Sequence, residues 1–126
     1  MIKNLDRFAA MLALVIGGMA IFAGGRVLLG NPPDYYVIDW LPVYNFLMGV
    51  LSVFVTTLLI WKRSPYAMPF AIATFSAHAV VMLILQVGYR EVVAIDSIVA
   101  MTIRLIAWLI ILAMLFFASR RSTVTV

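Results

Sequence analysis

Residues 97–118 read SIVAMTIRLIAWLIILAMLFFA, an apolar run that contains a single charged side chain, Arg104. Three more stretches are almost as apolar, residues 8–29, 40–61 and 66–87. A helix rises 1.5 Å per residue, so each stretch is long enough to cross a hydrocarbon core of about 30 Å. We therefore predict an all-α integral membrane protein, a four-helix bundle with one transmembrane domain over residues 1–126.

The overall composition supports the same class. Hydrophobic residues make up 66% of the chain and charged residues only 11%, whereas a soluble domain has about half and about a quarter. The net charge of +4 comes from short basic flanks, so we expect the lipid bilayer as a partner and no nucleic acid. The chain has no cysteine, which excludes disulfides and thiolate-ligated iron–sulfur clusters.

Basic residues are distributed unequally between the two ends of the spans. The flanks that an even number of spans places together contain Lys3, Arg7, Lys62, Arg63, Arg120 and Arg121. The opposite flanks contain Arg26 and Arg90. The positive-inside rule then predicts that both termini are cytoplasmic, and we expect a multi-pass protein of a bacterial cytoplasmic (inner) membrane. The first stretch is too long for the apolar core of a signal peptide, so we interpret it as a retained helix.

The first span has small residues at intervals of three and four. They are Ala9, Ala13, Gly17, Ala20 and Gly24. Such spacing lets a second helix backbone approach closely, and this contact drives helix association in lipid. Two alternatives stay open: packing against a helix of the same chain, or contact with another subunit or another copy.

Among the residues of the spans, Arg104 has the largest free-energy cost of insertion into a membrane, because a buried guanidinium without a partner costs at least a few kcal/mol. One hypothesis is a structural ion pair with Asp96, two turns earlier on the same helix face, or with Asp39. The other is a cationic anchor for an anionic ligand, such as a carboxylate or a lipid head group. Arginine suits the second role because its fork of donors matches such oxygens.

The other charged, amide and imidazole side chains of the spans are predicted to lie in the same half of the membrane as Arg104. The candidate ligand-binding residues are Arg26, Asn45, His78, Gln86 and Arg104. The opposite half contains hydroxyl groups that can bond to their own helix, chiefly those of three threonines. This asymmetry predicts a polar pocket that opens outward, and it argues against a pore that is polar along its whole length.

Catalytic and metal-binding constellations are absent from the sequence. His78 is the single histidine, so one chain cannot supply two axial histidines to a haem. A copper site with Met82 is conceivable, but we interpret His78 as a hydrogen-bonded structural residue. We expect no cofactor, no metal and no enzymatic activity.

Three functions remain. The first is a non-catalytic accessory or structural subunit, or an assembly factor, of a larger membrane complex. The second is a small homo-oligomeric transporter or channel. The third is a binding protein for a lipid or a quinone-like ligand, with its pocket around Arg104.

Overall fold

The computed structural model describes residues 4–31, 33 and 37–124, with side chains up to Ala118. This part of the chain forms four helices: α1 Leu5–Leu28, α2 Leu41–Trp61, α3 Ala67–Gly88 and α4 Ile95–Val124. All four are long and apolar enough to cross a membrane. The predicted all-α fold with four membrane-length helices is confirmed, and it suggests a multi-pass membrane protein.

The helix ends differ from the predicted spans by a few residues. α1 begins at Leu5 and α4 continues to Val124, because polar residues next to an apolar run can extend a helix that no proline or glycine interrupts. Lys3 lies outside the described residues, as do the side chains of Arg120 and Arg121.

One apolar core lies where the start of α1 meets the second half of α4, and we call this end of the bundle the terminal end. Its buried members come from all four helices: Ala9, Ala10, Ala13 and Ile16, then Ile60, then Ala67 and Ala71, then Ala107, Trp108, Ile111 and Leu115. The start of α1 therefore meets the end of α2, the start of α3 and the second half of α4. Consecutive helices run in opposite directions, as short connections require.

A second apolar core lies at the opposite end, which we call the loop end. It contains Ile38, Leu41, Val81, Leu85 and Met101. Trp40, Tyr44 and Tyr89 pack against it with half-buried rings. The Trp40 indole donates a hydrogen bond of 3.0 Å to the Tyr89 hydroxyl, and this bond joins the start of α2 to the end of α3.

Three glycines bring the backbones of α1 and α2 together. A Cβ added at Gly24 would lie 2.4 Å from the Pro42 carbonyl oxygen, and one at Gly49 would lie 2.7 Å from the Gly17 carbonyl oxygen. All five residues of the small-residue face on α1 are buried within the chain. The face therefore packs inside the monomer, which corresponds to the first of the two alternatives.

α2 contains one wide turn, a π-helical segment at Ser52–Thr56. Its first residue lies against Gly17, where an added Cβ would be 2.9 Å from the Ser52 Cβ. The Thr57 hydroxyl donates a hydrogen bond of 2.6 Å to the Ser52 carbonyl oxygen. The same carbonyl also accepts the Thr57 backbone N–H in the i→i+5 pattern of a π turn, and the hydroxyl bond to its own helix is the kind that the sequence predicted for the threonines of this half.

The α2–α3 connection closes the terminal end. Arg63 adopts a positive φ of 56°, and its guanidinium pairs with the Asp6 carboxylate of α1 at 2.5 Å. The Arg7 guanidinium lies 4.4 Å from the ring centre of Trp61, a cation–π contact. These contacts hold the start of α1 against the end of α2.

Candidate ligand site at the loop end

Arg104 lies inside the bundle, with 6% of its surface exposed. Its Nη1 donates a hydrogen bond of 2.5 Å to the Asn45 side-chain oxygen, and it contacts the Met101 sulfur at 3.5 Å. The bond to Asn45 joins α4 to α2. Because the donor is charged, this bond is stronger than one between two neutral groups.

Tyr44, the neighbour of Asn45, makes the corresponding connection to α3. Its hydroxyl lies 2.6 Å from His78 Nδ1, and the two rings meet edge to face with centroids 5.7 Å apart. His78 is 2% exposed. Two adjacent, half-buried residues of α2 therefore bond to buried polar side chains of two different helices.

A cleft of about 110 Å³ opens beside these residues, between α1, the α1–α2 connection, α2 and the start of α4. Among the residues that the structure describes, its polar lining consists of Arg26, Asn45 and Ser97. Its apolar lining consists of Phe22, Ala23, Val27, Pro33, Val37, Leu41 and Pro42. Two of the predicted binding residues, Arg26 and Asn45, thus lie at one cleft, and Arg104 lies directly behind Asn45.

The polar lining presents hydrogen-bond donors. The side-chain oxygen of Asn45 accepts from Arg104, so its amide NH₂ is the half that remains to donate to a ligand. Arg26 is exposed, and its Nε donates to the Asn31 carbonyl oxygen at 3.0 Å, which leaves other guanidinium donors for a second partner. Ser97 adds a hydroxyl. Donors and positive charge together favour an oxyanion.

Other predicted residues lie elsewhere. Gln86 is exposed, and its amide nitrogen contacts the Met82 sulfur at 3.7 Å on the same helix. His78 is buried behind Tyr44 and is not part of the cleft lining that the structure describes. Asp96 and Asp39, the proposed ion-pair partners, are both exposed, whereas Arg104 is buried against an amide.

Sequence reasoning missed two residues of this region and one residue of the terminal-end core. Ser97 is a buried hydroxyl in the cleft wall, and Tyr44 pairs with His78 through its hydroxyl. Trp108 is fully buried, and within the described residues its indole nitrogen has no hydrogen-bond partner. Its spacing of four residues from Arg104 places both on one face of α4, which is the signal that could have found it.

The described residues contain no group of three or more histidine, cysteine, aspartate or glutamate side chains that could hold a metal ion. The comparisons with known proteins give no relative: no family model, curated protein or solved structure matches this chain. The geometry of the cleft is therefore the basis for inferring function.

Proposed function

We propose that this chain is a non-catalytic multi-pass membrane protein that binds the oxyanion head group of an amphiphile in the loop-end cleft. The observation that carries the proposal is the cleft lining, where Arg26, Asn45 and Ser97 lie beside apolar side chains. An anionic head group matches the donors, and its hydrocarbon chain matches the apolar surface around them.

The size of the cleft favours a head group over a whole ligand. Sites for drug-sized molecules occupy about 300–1,000 Å³, and this cleft has about 110 Å³. A carboxylate or a phosphate group fits such a volume, whereas a quinone ring with its substituents needs more. The chain of the amphiphile then lies outside the cleft, along the exposed apolar surfaces of the helices. In this proposal both termini are cytoplasmic and the cleft faces the outer leaflet.

The accessory-subunit hypothesis has less support. One sequence argument for it was the small-residue face of α1, and α2 of the same chain already packs against Gly17 and Gly24 of that face. A channel through one copy is also less well supported, because the apolar core of the terminal end lies beneath the polar residues.

The test compares two exposed arginines of the loop end in the full chain. Native mass spectrometry of delipidated protein titrated with phosphatidylglycerol or phosphatidylcholine measures binding. We expect wild-type protein to prefer phosphatidylglycerol, and Arg26→Gln to weaken that binding about tenfold, the effect of losing one charge-assisted hydrogen bond. Arg90→Gln removes the same charge outside the cleft lining and serves as the matched control.

Equal binding of the two lipids, or equal effects of the two substitutions, would contradict the proposal. The same spectra of protein extracted in mild detergent show whether other chains copurify. Stoichiometric recovery of a different membrane protein, with no preference for phosphatidylglycerol, would instead favour an accessory subunit.

A further inference from the structure

We infer that the bundle holds one buried water molecule between Trp108 of α4 and the His78 and Thr74 side chains of α3. The starting observation is the Trp108 indole, which is fully buried and whose Nε1–H has no hydrogen-bond partner among the described residues. A buried donor without a partner costs free energy, so native structures supply a protein group or an ordered water. These three residues lie outside the described lining of the cleft, and the inference does not depend on the proposed function.

The His78 side chain brings a second nitrogen close to the indole. Its ring centre lies 6.5 Å from that of Trp108, with the two planes inclined by 41°. Its Nδ1 is engaged with the Tyr44 hydroxyl at 2.6 Å, so Nε2 is the ring nitrogen left for another partner. Rings at this inclination neither stack nor meet edge to face, and the diverging planes give room for a small molecule at one edge. Two nitrogens that share a water lie about 5 Å apart, a separation that this ring spacing allows.

Thr74 supplies a hydroxyl oxygen on the same side of α3. The buried residues Ala71, Thr74 and His78 follow one another at intervals of three and four, so they lie along one helix face. Ala71 belongs to the core around Trp108, and the His78 ring is the neighbour of the indole. Thr74 lies between these two positions. Its hydroxyl donates to the Phe70 carbonyl oxygen at 2.8 Å, which leaves its lone pairs to accept.

Water is the molecule that matches this set of groups. Its oxygen accepts the indole N–H, and one of its hydrogens is donated to the Thr74 oxygen. It serves either tautomer of His78, because it can donate to a bare Nε2 or accept from Nε2–H. A buried water makes about three hydrogen bonds, which is the number that these side chains provide. A halide ion would accept from the indole but has no hydrogen to give to the threonine oxygen.

The bound water extends a chain of hydrogen bonds across three helices. The chain runs from the Tyr44 hydroxyl of α2 through His78 of α3 to the Trp108 indole of α4. Within a membrane, such internal waters satisfy polar groups that have no protein partner. The water thus joins α4 to α3 between the apolar core of the terminal end and the hydrogen-bonded pairs of the loop end. Trp108→Phe releases the water together with the N–H, so it leaves no donor unpaired.

Proton-detected NMR of isotope-labelled protein in detergent tests the inference directly. The chain has three tryptophans, and replacing each in turn by phenylalanine assigns its indole signal. We expect the Trp108 indole proton to show a cross-peak to a bound water, at a chemical shift typical of a hydrogen-bonded donor. Trp40 donates to the Tyr89 hydroxyl and Trp61 is 44% exposed, so their signals provide references for a donor bonded to protein and for an exposed donor.

Two substitutions remove partners of the water and keep Trp108. His78→Leu removes the imidazole, and Thr74→Val removes the hydroxyl with little change in shape. We expect each to reduce the water cross-peak of Trp108 at least severalfold. Thr57→Val is the matched control, because the Thr57 hydroxyl is also buried and also bonds to a carbonyl of its own helix. It should leave the cross-peak unchanged.

The inference is overturned if wild-type protein shows no cross-peak between a bound water and the Trp108 indole proton, as expected for an N–H directed at the face of a ring. Retention of the cross-peak in both His78→Leu and Thr74→Val, or its loss in Thr57→Val, would overturn it as well. Loss in either site variant with Thr57→Val unchanged supports it, so Thr74→Val is sufficient if His78→Leu does not fold. The Trp40 and Trp61 signals verify that each variant is folded.

Discussion

The two ends of this bundle are held together by different interactions. At the terminal end, six alanines from α1, α3 and α4 pack around Trp108 and its aliphatic neighbours. At the loop end, hydrogen bonds between side chains join the helices: Trp40 to Tyr89, Tyr44 to His78, and Arg104 to Asn45. The hydroxyls of Thr57 and Thr74, nearer the terminal end, bond instead to carbonyls of their own helices.

The difference shows where each half can tolerate change. Close packing of small residues depends on shape, so any added or removed volume changes the free energy of unfolding. A hydrogen-bonded pair depends on two specific groups, and each group can in principle exchange its partner. The terminal end is therefore suited to stability, and the loop end to recognition.

The largest effect is expected at Trp108, the fully buried side chain at the centre of the terminal-end core. Trp108→Ala leaves a large cavity among alanines that cannot fill it, and should lower the free energy of unfolding by about 3–5 kcal/mol. Reversible unfolding in mixed detergent micelles measures the change. Trp61 is 44% exposed at the same end, and Trp61→Ala should cost about 1 kcal/mol, mostly from its contact with Arg7.

Trp108→Phe tests whether the volume of the Trp108 side chain controls the stability of the terminal end. It removes the indole N–H that lacks a partner among the described residues, which offsets part of the lost volume. Its cost should therefore be well below that of Trp108→Ala. Equal costs for the two variants would mean that packing around Trp108 does not control the stability of this end.

An intermediate effect is expected at the contact between α1 and α2. Gly24→Ala would place a methyl group 2.4 Å from the Pro42 carbonyl oxygen and 2.6 Å from the Phe46 nitrogen. The two backbones must separate, and the same unfolding assay should show a loss of about 1–3 kcal/mol. Gly18 faces open space, so Gly18→Ala should be neutral or stabilising by up to about 1 kcal/mol. Similar values for both would show that close approach is not needed here.

The smallest effect is expected for the ion pair at the terminal end. The Arg63 side chain is 57% exposed and the Asp6 side chain 15%, so water and salt screen their attraction. Asp6→Asn should lower the free energy of unfolding by less than about 1 kcal/mol, and the difference should shrink further in high salt. A salt-independent loss of several kcal/mol would mean that this pair organises the terminal end as strongly as the core does.

Much of the candidate site followed from the sequence because burying polar groups in an apolar span is costly. That cost marks Arg104, Asn45 and His78 as residues that need partners. The partners themselves could not be read from the chain. The sequence left two hypotheses for Arg104, an ion pair with Asp96 or Asp39 and an anchor for an anionic ligand, and it gave no sign of the hydrogen bond to Asn45, 59 positions away. Gln86 has the same polarity as Asn45, but its position on α3 makes it exposed.

The sequence by itself determined the four helices and their alternating directions, because length, apolar character and short connections leave few other arrangements. It also indicated that Arg104, Asn45 and His78 lie in one half of the spans, with hydroxyl groups in the other. Only the tertiary structure decided that α2 covers the small-residue face of α1, and that adjacent residues Tyr44 and Asn45 bond to different helices. Helix period fixes which side chains share a face, but the rotation of each helix and its distance from its neighbours depend on packing of the whole bundle.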